Sequence, residues 1–155
     1  MGSIKYEIIE IPSYTSRSKV GIKTLPENEP LMLLLSGLKK EQFPHYINEL
    51  FENINFGVEN ASFVFYHQMD WEDKSNFKNV FGREMNHDEL EIQVYDGRRK
   101  YSVLNKSDFE QIFYDYSQKL LEVYQSDTSL PETWKDEMNT SLEKLKSKIN
   151  NESPR

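Results

Sequence analysis

The stretch HQMDWED, residues 67–73, gathers side chains that do chemistry: His67, the carboxylates of Asp70, Glu72 and Asp73, and the ring of Trp71. Three uses suit such a set. It can hold a metal ion, it can run acid/base chemistry, or it can be a surface for a partner. A zinc site wants closely spaced histidine and carboxylate ligands on a rigid element. The histidines here are His45, His67 and His87, roughly twenty residues apart each time, with no HExxH and no pair at i, i+4. His67 with Asp70 and Asp73 is the one candidate metal set, and its pattern is generic.

Covalent chemistry fares no better. The chain has no cysteine, no GxSxG and no glycine-rich phosphate loop, and only 6 glycines in all. Paired carboxylates such as Glu72 with Asp73, and Asp88 with Glu89, lie in polar sequence. An acid/base pair needs burial to split its two pKa values, and adjacent acids in polar surroundings form a solvated face. We therefore expect no enzymatic activity, no catalytic residue, no metal and no cofactor. The basic cluster Arg98–Lys100 lacks the interleaved aromatics of a nucleic-acid surface and reads as a charged hairpin turn that blunts a sheet edge.

Partner binding is left, and charge supports it. The 155 residues carry a net charge of −7. Between Gln68 and Asp96 stand eight acids (Asp70, Glu72, Asp73, Glu84, Asp88, Glu89, Glu91 and Asp96) against three bases, so most of the excess lies there. The same segment holds Trp71, Phe77, Phe81 and Tyr95. Aromatic anchors ringed by carboxylates suit a basic protein surface: the rings supply desolvated contact and the acids steer the encounter. Composition leaves a second arrangement open, in which Trp71 and Phe81 fold into the core beneath an acidic rim. A nucleic-acid binder would instead need a basic footprint.

The elements that must position these residues can be read from periodicity. Ile4–Ile11 reads as a strand with a bulge at Ile8-Ile9, and Val20–Ile22 as a short second strand. A polar loop, PSYTSRS, joins them. Leu31–Leu35 reads as a short helix ended by Gly37. Phe43, Tyr46, Ile47, Leu50, Phe51 and Ile54 make one helical face, with Pro44 in its first turn. ASFVFYH is apolar on both faces, as a central strand would be. Residues 68–87 read as a long polar loop, and loops of that length in a compact domain are usually functional or disordered. Leu90, Ile92 and Val94 alternate inward, Asp96-Gly97 turns a hairpin, and Tyr101 and Val103 return. Ser107 with Glu110 forms a capping box before a helix whose stripe is Phe109, Ile112, Phe113, Tyr116, Leu120, Val123 and Tyr124. Pro131 opens a last helix carrying Trp134, Met138, Leu142, Leu145 and Ile149. The order predicts one α+β domain over residues 1–150, a mostly antiparallel sheet with helices on one face, and a frayed tail at 151–155.

The absence of cysteine suits a reducing compartment. We expect no signal peptide, since no basic stretch followed by an apolar one stands at the start of the sequence. Tyr6 stands where a myristoylation motif wants Ser or Thr, and the longest apolar run, Leu31–Leu35, is too short to span a bilayer.

The stretches ELFENINFGVENASFVFYHQMDW and ELEIQVYDGRRKYSVLNKSDFEQIFYDYSQKLLEVY resemble the immunity proteins of bacterial contact-dependent growth inhibition and related polymorphic toxin systems, in particular those paired with ribonuclease toxins. The resemblance implies a cytoplasmic inhibitor, a monomer or weak homodimer, that binds a cognate nuclease toxin domain and blocks it without touching nucleic acid or membrane. Nucleases are often basic around the groove that holds phosphates, which an acidic protein can mimic. The expected contact residues are Asp70, Trp71, Glu72, Asp73, Glu84, Asp88, Glu89, Glu91 and Tyr95. Two alternatives stay open: a small hydrolase using carboxylates around His67, and a cytoplasmic adaptor for another protein.

Overall fold

The computed structural model describes residues 4–11 and 19–152. It is α+β, as the order of elements predicts. β1 (Lys5–Glu10) and β2 (Val20–Leu25) form an antiparallel pair; α1 (Glu29–Gly37) and α2 (Phe43–Phe51) follow. β3 (Gly57–Val58), β4 (Ala61–Phe65), β5 (Glu89–Tyr95) and β6 (Arg99–Asn105) make an antiparallel sheet in the order β3-β4-β5-β6. α3 (Trp71–Phe81) is inserted between β4 and β5, and α4 (Lys106–Tyr124) and α5 (Trp134–Glu152) close the chain. The loop expected at PSYTSRS lies outside the described residues.

The core forms where the apolar faces of helices and sheet meet. Ala61, Phe63 and Phe65 of β4 stand opposite Val94, Ile92 and Leu90 of β5, and all six are buried. Rings from separate elements interlock above them. Phe56 meets Phe63 edge-on at 4.5 Å, and Phe43 stacks on Phe113 at 5.3 Å. Buried rings need their polar atoms satisfied. Tyr116 Oη accordingly donates to the Val20 carbonyl at 3.1 Å, and Trp134 Nε1 to the Lys40 carbonyl at 2.8 Å. α5 packs on α2 and α4 through Met138, Leu142 and Leu145. A charge is buried at that junction. Lys148 Nζ lies 3.1 Å from Glu110 Oε2 and donates to the Leu50 carbonyl and to Asn53 Oδ1.

Several expectations are corrected. β1 carries no bulge: its register against β2 runs unbroken from Lys5↔Leu25 to Glu10↔Val20. α2 ends at Phe51, so Ile54 falls outside its face and is exposed. β4 is apolar on one face, since Ser62 is exposed and Val64 half-buried. Ser107 does not cap α4. Asn105 does, its Oδ1 accepting from Ser107 N–H at 3.0 Å, while Glu110 turns inward to Lys148. Residues 68–87 are not a loop: a 3-10 turn at Tyr66–Gln68 leads into α3. α3 is a helix beyond those expected. Asp73 lines a small cleft with Ser62, Val64 and Gln93, whose side chains alternate away from the core. α3 therefore lies over the outer face. α5 continues through Asn151 and Glu152, and the rest of the expected tail lies outside the described residues.

Candidate protein-binding surface

HQMDWED becomes the start of α3, and its carboxylates explain why the helix begins there. Asp70 is the N-cap: its Oδ1 accepts from Asp73 N–H at 2.8 Å, and Asp73 Oδ2 accepts from Asp70 N–H at 3.2 Å. The two aspartates thus satisfy two amides that the first helical turn leaves open, and their charge suits the positive end of the helix dipole. At the far end Gly82 adopts φ 71°, the left-handed conformation that closes a helix, and its N–H bonds the Lys78 carbonyl at 2.8 Å.

Buried side chains hold this helix down. Met69 precedes the cap, and Phe77 is fully buried, with Phe81 packed on it at 4.6 Å. Arg83 crosses the Phe77 ring at 5.5 Å and forms a two-pronged bond to Glu89 at 3.0 and 2.9 Å. Trp71 is on none of these contacts. It is 80% exposed, the most exposed large apolar side chain among the described residues. The arrangement in which Trp71 enters the core is excluded.

The other expected contact residues separate by position. Glu72 is exposed beside Trp71, and Asp73 is half-buried in the cap. Glu84 and Asp88 are exposed but lie beyond the C-terminus of α3. Tyr95 is 54% exposed and stands one alternation beyond Gln93 on the outer sheet face that Asp73 overlooks. Glu89 and Glu91 are buried, so neither is displayed at the surface. Burial alone would raise the Glu89 pKa, but the bonds from Arg83 and from Asn86 N–H overcome it and hold the carboxyl below its ordinary range. At Glu91, only 2% exposed, burial wins. The Gln93 amide donates to it at 3.0 Å, nearby Asp73 adds repulsion, and its pKa is raised.

His67 is exposed and stacks on Phe65, while His87 stacks on Tyr66. Lys74 Nζ lies 4.6 Å from the same Tyr66 ring. Among the described residues no group of three or more His, Asp or Glu side chains is arranged to hold a metal ion. Asp70 and Asp73 spend their oxygens on backbone amides. What the site can do chemically is present an exposed indole, on an anchored helix, beside carboxylates.

The role of Asp70 and Asp73 as a cap was missed in the sequence, although D-x-x-D carries the signal when the second aspartate replaces the usual glutamate. Comparison with protein-family models, with curated proteins and with solved structures finds no match for this chain. No helix among the described residues is long and apolar enough to cross a membrane.

Proposed function

We propose that this chain is an immunity protein, which binds a cognate nuclease toxin domain, most simply a ribonuclease, through the surface around Trp71 and so neutralises it in the cytoplasm. The observation that carries this reading is the exposed Trp71 on a helix fixed by a reciprocal aspartate cap and by buried Met69 and Phe77. An exposed indole on a mobile loop would lose entropy on docking; one on a capped helix is already ordered, which lowers the cost of binding. Tryptophan is among the commonest interface hot spots, and Asp70, Glu72 and Asp73 around it suit a basic partner. The same geometry favours binding over hydrolysis. A general acid needs a carboxyl free to meet the reacting group, and the acids nearest His67, Asp70 and Asp73, already accept bonds from the amides of the α3 cap.

The test is genetic. A reading frame beside this gene should encode a large secreted protein with a variable, toxic C-terminal domain. Cells expressing that domain should survive when the present chain is co-expressed, and should die when it carries Trp71→Ala at equal abundance. Failure of the unaltered chain to rescue growth would end the reading.

A further inference from the structure

β6 is the terminal strand of the four-stranded sheet, and nothing in the sheet pairs with its outer side. The register fixes which backbone groups stand on that side. Lys106 N–H bonds the Asp88 carbonyl, and the β5–β6 partners continue as Leu104↔Leu90, Ser102↔Ile92 and Lys100↔Val94. In an antiparallel ladder the hydrogen-bonded pairs alternate. Lys100, Ser102 and Leu104 therefore turn their N–H and C=O toward β5. Arg99, Tyr101 and Val103 turn both groups outward, where they meet no backbone partner among the described residues, and Asn105 turns its N–H outward while its C=O, as that of the N-cap, closes the first turn of α4. A groove of about 640 Å³ runs along this edge, with Tyr101 and Val103 on one wall and Ile4 and Pro26 on the other.

Charge is distributed unevenly along the edge. Arg98 and Arg99 are exposed at its start, without an ion-pair partner among the described residues. At its end Asp88 is exposed and accepts from Asn105 Nδ2 at 3.5 Å. Lys100 is not available, since it already bonds Glu29 and Asp96.

We propose that β6 pairs with β6 of a second copy of this chain, antiparallel about a twofold axis at Ser102, joining two sheets into one. This register sets the outward backbone groups of each copy against those of the other. It sets Tyr101 opposite Val103 of the second copy, an aromatic–β-branched pair of the kind that stabilises sheets. It also sets Arg99 opposite Asn105, so the basic start of each edge meets the Asp88 end of the other. Twofold symmetry makes that contact twice. The same complementarity singles out a copy of this chain over an arbitrary extended peptide. The backbone edge of β6 is no part of the Trp71 surface, so the proposal stands or falls independently of the toxin reading.

Sedimentation equilibrium of the full chain tests it. The unaltered protein should show a reversible, concentration-dependent dimer. Arg99→Glu should raise the dimer dissociation constant at least about tenfold, because it places like charges together twice. Arg99→Glu with Asp88→Arg should restore the dimer by exchanging the partners. Amide exchange at Tyr101 and Val103 should slow as protein concentration rises, which reads the edge directly in the unaltered chain. A protein that stays monomeric into the hundreds of micromolar would overturn the proposal. So would a dimer whose strength is indifferent to Arg99→Glu and whose Tyr101 and Val103 amides exchange at a rate independent of concentration.

Discussion

Replacing Lys148 with methionine should be among the most damaging single changes in this molecule. Lys148 Nζ is the partner of Glu110, which is 1% exposed, and it also supplies a donor to the Leu50 carbonyl and to Asn53 Oδ1 at 2.9 and 2.6 Å. Methionine keeps most of the side-chain volume but no charge. The Glu110 carboxylate then loses the Lys148 charge inside the α4–α5 junction. Breaking a buried ion pair from one side costs about 3–5 kcal/mol. A domain of this size holds about 5–15 kcal/mol in all, so roughly a fifth or more of its stability is at stake. In urea, with a slope of about 2 kcal/mol/M, the midpoint should fall by about 1.5–2.5 M at unchanged slope. The double variant Glu110→Leu, Lys148→Met should recover most of that loss, because an apolar pair of similar volume replaces a buried ion pair at little or no cost. A Lys148→Met midpoint within about 0.5 M of the parent would refute the reasoning, since a surface substitution costs no more than that. A double variant as weak as the single one would locate the damage in packing instead of charge.

Other consequences follow from the caps and the buried acids. Asn105→Ala should cost about 0.5–2 kcal/mol in denaturant melts, and more than Ser107→Ala, because Asn105 and not Ser107 caps α4. Glu91→Gln should raise stability at neutral pH. The raised pKa of Glu91 means that its charged form weakens the fold above that pKa, and the advantage of glutamine should vanish once pH falls below the ordinary glutamate range. Glu89→Gln should do the reverse. The lowered pKa of Glu89 contributes stability that is fully present above the ordinary range and lost as pH falls through the lowered value, so the substitution should cost about 1.5–3 kcal/mol at pH 7 and little in acid.

The elements with strong periodicity were legible in the sequence, and those held by single contacts were not. α4 carries an unbroken stripe from Phe109 to Tyr124, and the β5–β6 hairpin announces itself through Asp96-Gly97, where Gly97 adopts φ 96°. α3 has one fully buried residue, Phe77, and so gives almost no amphipathic signal. Its D-x-x-D cap does leave a signal in the sequence, but the packing of Phe81 and the Arg83–Glu89 pair appear only once the chain is folded. The acid count over residues 68–96 identified the segment but could not sort it. Glu89 and Glu91 point toward the sheet face that α3 covers, whereas Glu72 and Trp71 point outward, and that division depends on a helix the periodicity does not reveal. Ser107 misled for a related reason. A capping box requires Glu110 to reach back to its own helix start, and a lysine 38 positions downstream, Lys148, holds it in the core instead.

The most direct test of the proposed function is the affinity of the folded chain for the toxin domain encoded beside it, measured by calorimetry for the parent and for Trp71→Ala. Trp71 is solvent-exposed, so the variant should melt within about 0.5 kcal/mol of the parent. It should nevertheless bind at least about 2 kcal/mol more weakly, roughly a thirtyfold rise in Kd. Equal affinity for parent and variant would contradict the assignment of the Trp71 surface. No binding by the parent would contradict the immunity function itself.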